Sequence, residues 1–365
     1  MRESQLRAKL NKYLTIVVQQ GASDLHLSVG EKPVIRLDGN LHRLNEEDML
    51  VAEDLRSLSE MVLTPEQKER LQRNRAVDFS LEIQGGERFR ANFYYQRGKM
   101  AVALRYIPKV IRTLAELGLP EYLYNFVENN QGLILVTGPT GHGKSTTLAA
   151  LVEYLNQHKQ YHIITIEDPV EYVYRSEVAL INQREIHNDA VDFHSALVAA
   201  FRQDVDAILL GEMRDLETMS TAITAAETGH LILATLHTND AVQTIDRIID
   251  VFPAHQQNQI RAQLANVLVG VVSQRLLRKI GGGRVPAVEI LIKNIAVENL
   301  IRQNQTHQIN NVIDTSLNQG MISINRSLAR LVARGLVDIK EAEMYATDPK
   351  TFQMALETER MNQRK

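Results

Sequence analysis

Gly138, Pro139, Thr140, Gly141, His142, Gly143, Lys144 and Ser145 spell G-x-x-x-x-G-K-[ST], the pattern of a phosphate-binding loop, and Thr146 extends it. Glycines at 138, 141 and 143 let the backbone turn tightly and bring its N–H groups close to phosphate oxygens. A helix starting at such a loop points its positive dipole end at the anion. Lys144 is expected to reach the β- and γ-phosphates, and the Ser145 hydroxyl to ligate a Mg²⁺ ion that bridges them. His142 fills a variable position to which the pattern assigns no chemistry.

Hydrolysis of a triphosphate also needs carboxylates, one near the metal and one to orient or deprotonate water. Two apolar runs end in such residues. Glu167 and Asp168 follow 163–166, and Glu212 follows 207–210. Glu212 is the candidate for the water, and Glu167 for the metal or its water shell. Asp168 precedes Pro169 and reads as structural. A γ-phosphate sensor needs a hydrogen-bond donor at a strand's carboxyl end, where His237 follows the run 231–235. His230 lies at the other end of that run, which suits a subunit contact or a structural bond. Extended strand keeps the two histidines too far apart to share a metal.

The elements that would hold these residues follow from hydrophobic pattern. The run 132–137 reads as a buried strand entering the loop, and Leu148, Leu151, Val152 and Leu155 mark a helix leaving it. Further runs at 163–166, 207–210 and 231–235 alternate with helical stretches, predicting a parallel sheet with ligands at the carboxyl ends of its strands. Residues 256–279 read as one long helix (Ile260, Leu264, Val267, Leu268, Val271), closed by Gly281-Gly-Gly283. One more apolar run, 288–292, precedes a helical C-terminal portion, about 285–365. Residues 1–107 read as a smaller α+β unit. It has an amphipathic first helix, strands at 24–28 and 34–38 with a turn at 38–40, and helices at 53–61 and 66–73. A hairpin of 88–95 and 100–106 completes it. A linker, 108–113, separates this unit from a second domain, 114–365.

Composition sets limits. A chain of 365 residues, 44% hydrophobic and 23% charged, is an ordinary globular protein of about two domains. The net charge of −3, the absence of tryptophan and 5% aromatic content argue against a nucleic-acid motor, which needs basic grooves and stacking platforms. Without cysteine there is neither a disulfide nor cysteine-ligated zinc. No apolar run reaches the roughly 18 residues of a membrane span, so a cytoplasmic location with only peripheral membrane association is expected.

Together the motifs resemble the type IV pilus retraction ATPases, the PilT family within the secretion-ATPase superfamily. The segments that carry the resemblance are Ala22-Ser-Asp-Leu-His-Leu-Ser28, the phosphate-binding loop and Ile164-Thr-Ile-Glu-Asp-Pro-Val-Glu-Tyr172. Others are Leu209-Leu-Gly-Glu-Met-Arg-Asp-Leu-Glu-Thr218 and Ala225 through Thr238. Ser273-Gln-Arg-Leu-Leu277 and Ala296-Val-Glu-Asn-Leu-Ile-Arg302 complete the set. They span nearly the whole chain. Two departures stand out: Val205 where the family usually has proline, and Glu298 where relatives tend to have arginine.

The resemblance implies a homohexamer whose subunits each join a PAS-like N-terminal domain to a RecA-like ATPase domain. ATP, with Mg²⁺, would sit between the domains, and its hydrolysis would rotate them. Arginines of the N-terminal domain would reach the phosphates, with Arg90, Arg97 and Arg105 the candidates. One such guanidinium is worth roughly 10³–10⁵ in rate. The implied partner is a pilus platform protein of the inner membrane, placing the motor at that membrane's cytoplasmic face without nucleic acid. The alternatives are a RecA-like nucleic-acid motor, an accessory paralogue of a retraction ATPase, and a non-catalytic subunit that binds nucleotide as a switch.

Overall fold

A computed structural model describes residues 2–37, 39–83 and 86–363. The chain divides into two compact units, Met1–Val110 and Ile111–Lys365, so the division falls inside the stretch 108–113.

The first unit opens with α1 (Arg2–Gln20), then β1 (Asp24–Ser28), β2 (Val34–Leu37) and β3 (Asn40–Arg43). The expected strand end and turn at Asp38 lie outside the described residues. Helices α2 (Ala52–Val62) and α3 (Pro65–Asn74) follow, then β4 (Ala76–Glu82), β5 (Arg88–Gln96) and β6 (Lys99–Ile107). Thr64 starts α3 as a capping box: its hydroxyl accepts the Gln67 N–H, and the Gln67 side chain accepts the Thr64 N–H. The strands form an antiparallel sheet in the order β3-β2-β1-β6-β5-β4. Alternation buries Leu25, Leu27, Phe79, Phe89 and Phe93 against Leu14 and Val17 of α1.

The second unit comprises α4 (Tyr124–Val127), β7 (Gly132–Thr137), α5 (Lys144–His158), β8 (His162–Glu167), β9 (Leu180–Glu185), α6 (Phe193–Ala200) and β10 (Ala207–Leu210). Next come α7 (Leu216–Glu227), β11 (Leu231–Leu236), α8 (Ala241–Asp250), α9 (Ala254–Val267), β12 (Leu268–Arg278) and β13 (Arg284–Ile292). It closes with α10 (Ile295–Arg302), α11 (Ile309–Thr315), α12 (Ile324–Ala333), α13 (Ile339–Glu343) and α14 (Pro349–Gln363). The sheet order is β13-β12-β7-β11-β10-β8-β9, parallel except for the edge strand β13. This is the expected α/β fold with a RecA-like parallel sheet. Every residue of β7, β10 and β11 is buried, as a strand covered on both faces must be. Leu133 and Leu135 pack on one face with α6 to α10, and Ile134 and Val136 on the other with α4 and α5.

One expectation fails. The helix predicted over 256–279 ends at Val267, and Leu268–Arg278 is a strand between β7 and β13. Val269, Val271 and Val272 are β-branched and suit a pleated surface. Gly270 admits the Leu291 carbonyl and the Phe126 ring, both 2.6 Å from where a Cβ would lie. The helical portion accordingly starts at Ile295, because 284–292 belongs to the sheet. Ahead of β10, Val205 is buried and Asp204 adopts φ +51°. Glu298 on α10 lies 3.5 Å from Lys293 and 3.6 Å from Arg302.

Candidate active site

The order of strands assembles the site. β11 lies between β7, which leads into the glycine loop, and β10, which leads to Glu212. A residue at the carboxyl end of β11 is therefore flanked by the loop on one side and the acid on the other. His237 is that residue. Lys144 Nζ lies 3.4 Å from its Nδ1, and its Nε2 lies 3.1 Å from a Glu212 oxygen. A ring carrying its proton on Nε2 satisfies both contacts, accepting from the ammonium and donating to the carboxylate. Lys144, His237 and Glu212 thus form one chain of polar contacts across three adjacent strand ends.

Lys144 is buried and also donates to the carbonyls of Gly138 (2.9 Å) and Pro139 (3.1 Å). Burial lowers its pKa below the ordinary lysine value, against the opposing pull of Glu212 and Glu171. Glu212 accepts from Arg214 at 2.7 Å. Burial pushes its carboxyl upward, but Arg214 and His237 outweigh this and leave it below the usual carboxylate range. Glu212 is therefore ionised at neutral pH. Asp215, three residues on, caps α7 by accepting the Thr218 N–H at 2.7 Å. That cap fixes the turn on which Glu212 stands.

Glu167 closes β8 and is buried. Its carboxylate accepts from the Thr165 hydroxyl (2.7 Å) and the Glu171 N–H (3.3 Å), and burial raises its pKa to about 7. Among the described residues no group of three or more histidine, cysteine, aspartate or glutamate side chains could hold a metal. A Mg²⁺ bound at a phosphate loop needs no such cage, since phosphates, water and a single hydroxyl supply its ligands. Ser145, in the first turn of α5, would be the residue to supply that hydroxyl, and the neighbouring Thr146 hydroxyl lies 2.9 Å from that of Tyr172.

The loop leans on β12, a support hidden from sequence reasoning by the helix expected there. Thr137 and Ser273 share a buried hydrogen bond of 2.9 Å. The buried Gln274 side chain accepts from the Thr147 hydroxyl (2.7 Å) and donates to the His142 carbonyl (2.9 Å). Gly138 has φ +140°, and a Cβ there would lie 2.4 Å from the Gln274 carbonyl, so only glycine fits. Gln274 lies in a motif singled out in the sequence, Ser273-Gln-Arg-Leu-Leu277, but its role emerges only once that segment is a strand. His230 sits at the far end of β11, with Nδ1 3.1 Å from the Ala225 carbonyl and its ring against Phe201, away from the loop.

The arginine candidates separate within the first unit. Arg90 and Arg105 are cross-strand partners on β5 and β6, on the face opposite the core. Arg105 donates to Asp24 at 2.9 Å, and Arg90 lies 3.8 Å from Asp78. Arg97 occupies the hairpin turn with φ +49°, about 20 Å from Arg90 along the strand. The structure brings Arg90 and Arg105 together, and not Arg97.

Comparison with known proteins places this geometry. The family described as type II/IV secretion system protein matches residues 2–310. The type IV pilus retraction ATPase PilT of Pseudomonas aeruginosa is 45% identical over 343 residues, 94% of this chain and 99% of that protein. A twitching motility protein of Neisseria gonorrhoeae is 45% identical over 321 residues, 88% of this chain and 86% of that one. A crystal structure of the pilus retraction motor PilT with bound ADP superposes with a TM-score of 0.86 at 46% identity, covering 94% of this chain and 98% of that one. The chain belongs to the type II/IV secretion system protein family.

Proposed function

We propose that this chain is a motor ATPase that converts ATP hydrolysis into retraction of a type IV pilus. The observation that carries the reading is the contact chain Lys144–His237–Glu212 at the mouth of a complete phosphate-binding loop. The direction of work, retraction, rests on relatives named for it that match nearly the full chain. No described helix is long and apolar enough to cross a membrane. In this reading the motor works at the cytoplasmic face of the inner membrane on a pilus platform protein, a partner inferred from the relatives named for pilus retraction. The working form in this reading is a homohexamer.

In the mechanism, the residues from Gly138 to Thr146 wrap the triphosphate, all but Pro139 carrying a backbone N–H, and Lys144 leaves the loop's own carbonyls for the β- and γ-oxygens. Bound Mg²⁺ would neutralise charge on the same oxygens, held by the Ser145 hydroxyl, with Glu167 behind its water shell. Glu212, ionised, accepts a proton from the attacking water and aligns it for in-line displacement. His237 donates to Glu212 and accepts from Lys144, so it senses the γ-phosphate only through Lys144: when Lys144 moves to the phosphate, the ring loses that contact and passes the change to the base. Arg90 and Arg105 are the guanidiniums that would stabilise transition-state charge, with Arg97 a third candidate at the turn. Hydrolysis then rotates the two units of each subunit.

The test pairs chemistry with physiology. Purified protein should hydrolyse ATP with Mg²⁺, run as a hexamer by mass, and lose tight nucleotide binding in Lys144→Ala. Deleting the gene should leave more surface pili and no twitching. Loss of all pili would instead assign it to assembly, and stimulation of the ATPase by single-stranded DNA would assign it to nucleic acid.

A further inference from the structure

We propose that His142 is a positioning residue of the nucleotide loop: its ring Nδ1 accepts the Leu276 N–H at 3.0 Å and clamps the loop's apex to β12. The proposal rests on the reading of the loop as a nucleotide site. The motif leaves position 142 free, so the role belongs to this chain's choice of histidine.

The need for a clamp comes from the sheet. β12 pairs with β7 as far as Ser273 with Thr137, whereas its pairing with β13 continues to Arg278 with Arg284. Beyond Ser273 the edge of β12 that β7 had covered has no strand beside it. Its polar groups need partners, because a half-buried N–H left unmade costs free energy. The glycine loop supplies one of them, since the His142 ring takes the Leu276 N–H. The Gln274 carbonyl, which Gly138 abuts, accepts from Arg275 Nη1 at 3.0 Å, and the Gln274 side-chain amide holds the His142 carbonyl. One residue thus meets β12 twice, once through its backbone and once through its ring.

An acceptor at Nδ1 requires a neutral ring with its proton on Nε2. The surroundings favour it. Arg275 of β12, Lys144 of α5 and Arg284 of β13 all face the ring, and Arg284 also donates to the Gly141 carbonyl at 3.5 Å. Tyr345, between α13 and α14, meets it edge-on at 6.2 Å. Burial first, then these three cations, lower the His142 pKa below the ordinary 6.5. The clamp is therefore closed at neutral pH. It opens on acidification below that value, when Nδ1 gains a proton and faces the Leu276 N–H as a second donor.

The full-length protein is titrated with ADP at pH 7.5 and pH 5.0 as wild type, His142→Asn and His142→Leu. Loss of one hydrogen bond should weaken ADP binding by His142→Leu about 3- to 10-fold at pH 7.5. His142→Asn, whose Oδ1 falls near the position of Nδ1, should keep most of the affinity. At pH 5.0 the advantage of wild type over His142→Leu should shrink, while that of His142→Asn persists. Selective ¹⁵N labelling of histidine should show the Nε2–H tautomer at His142 in the wild type. Equal affinities of wild type and His142→Leu at pH 7.5, or an Nδ1–H tautomer, would overturn the proposal. So would a wild-type advantage that grows on acidification, because the imidazolium would then be a phosphate ligand. If the wild type bound no ADP, the nucleotide reading would fail, and the tautomer would still decide the clamp.

Discussion

Glu212→Gln separates chemistry from folding at the proposed base. The carboxylate accepts two hydrogen bonds, from Arg214 at 2.7 Å and His237 at 3.1 Å. Glutamine keeps the shape but offers one acceptor oxygen, so one donor loses its partner. The Arg214 side chain is 72% exposed and that of His237 41%, so water replaces the lost bond in either case. Pairs this exposed contribute under about 1 kcal/mol to stability. That corresponds to a melting shift of a few degrees at most. Catalysis is another matter, because Arg214 and His237 hold Glu212 as the anion that accepts a proton, and an amide accepts none. A positioned base contributes about 10²–10⁴ in rate. At 1.36 kcal/mol per tenfold this is about 3–5 kcal/mol of barrier, several times the folding cost. Phosphate release from Mg²⁺-ATP at saturating substrate should thus fall at least about 100-fold. ADP affinity and melting temperature should stay near wild type. Turnover within threefold of wild type would refute Glu212 as the base, and a collapse of ADP affinity to match would show a structural role instead.

Three further perturbations test the supports of the site. Gly138→Ala puts a Cβ 2.4 Å from the Gln274 carbonyl at φ +140°, so a thermal melt should show a loss of about 1–3 kcal/mol and ADP titration a weakened site. Gln274→Leu leaves the His142 carbonyl and the Thr147 hydroxyl without their buried partner, which should cost about 1–3 kcal/mol in urea unfolding, and unchanged stability would show that the bridge contributes nothing. Glu289 is buried in β13, accepts the Ala241 N–H at 2.9 Å, and has a pKa raised by burial from 4.5 to about 7. A raised carboxyl pKa gives stability that is present below pH 4.5 and lost as pH rises through 7, about 3 kcal/mol in all at 1.36 kcal/mol per unit. Glu289→Gln cannot ionise, so its melting temperature should gain on wild type between pH 5 and pH 8. Parallel profiles would contradict the sign, and Glu167, with a pKa of about 7, is common to both proteins and cancels.

Much of the site was legible because its parts are local. The spacing of Gly138, Gly143, Lys144 and Ser145 defines a loop whatever the rest of the chain does. Glu167, Glu212 and His237 were found because each ends a short apolar run, and a parallel sheet presents such ends on one edge. The stretch 256–279 misled because Ile260, Leu264, Val267, Leu268 and Val271 keep helical spacing across the true boundary. A strand buried on both faces has no alternation to betray it. Its partner is also remote, since Ser273 meets Thr137 across 136 positions. The arginines posed the same problem, because cross-strand register, which their spacing does not carry, pairs Arg90 with Arg105 and strands Arg97 at the turn.

The sequence by itself determined the phosphate-binding loop, the α/β class, the acids at strand ends and the family. All of these are written in runs of a few residues, where backbone conformation and hydrophobic period act locally. Tertiary structure alone decided which of these ends touch. It inserted β11 between β7 and β10, so that His237 joins Lys144 to Glu212, and it set β12 beside the loop, so that Gln274 and the Leu276 N–H hold His142. Strand order and register come from burying apolar faces over long chain separations, a cooperative choice made by the whole core and by no single segment.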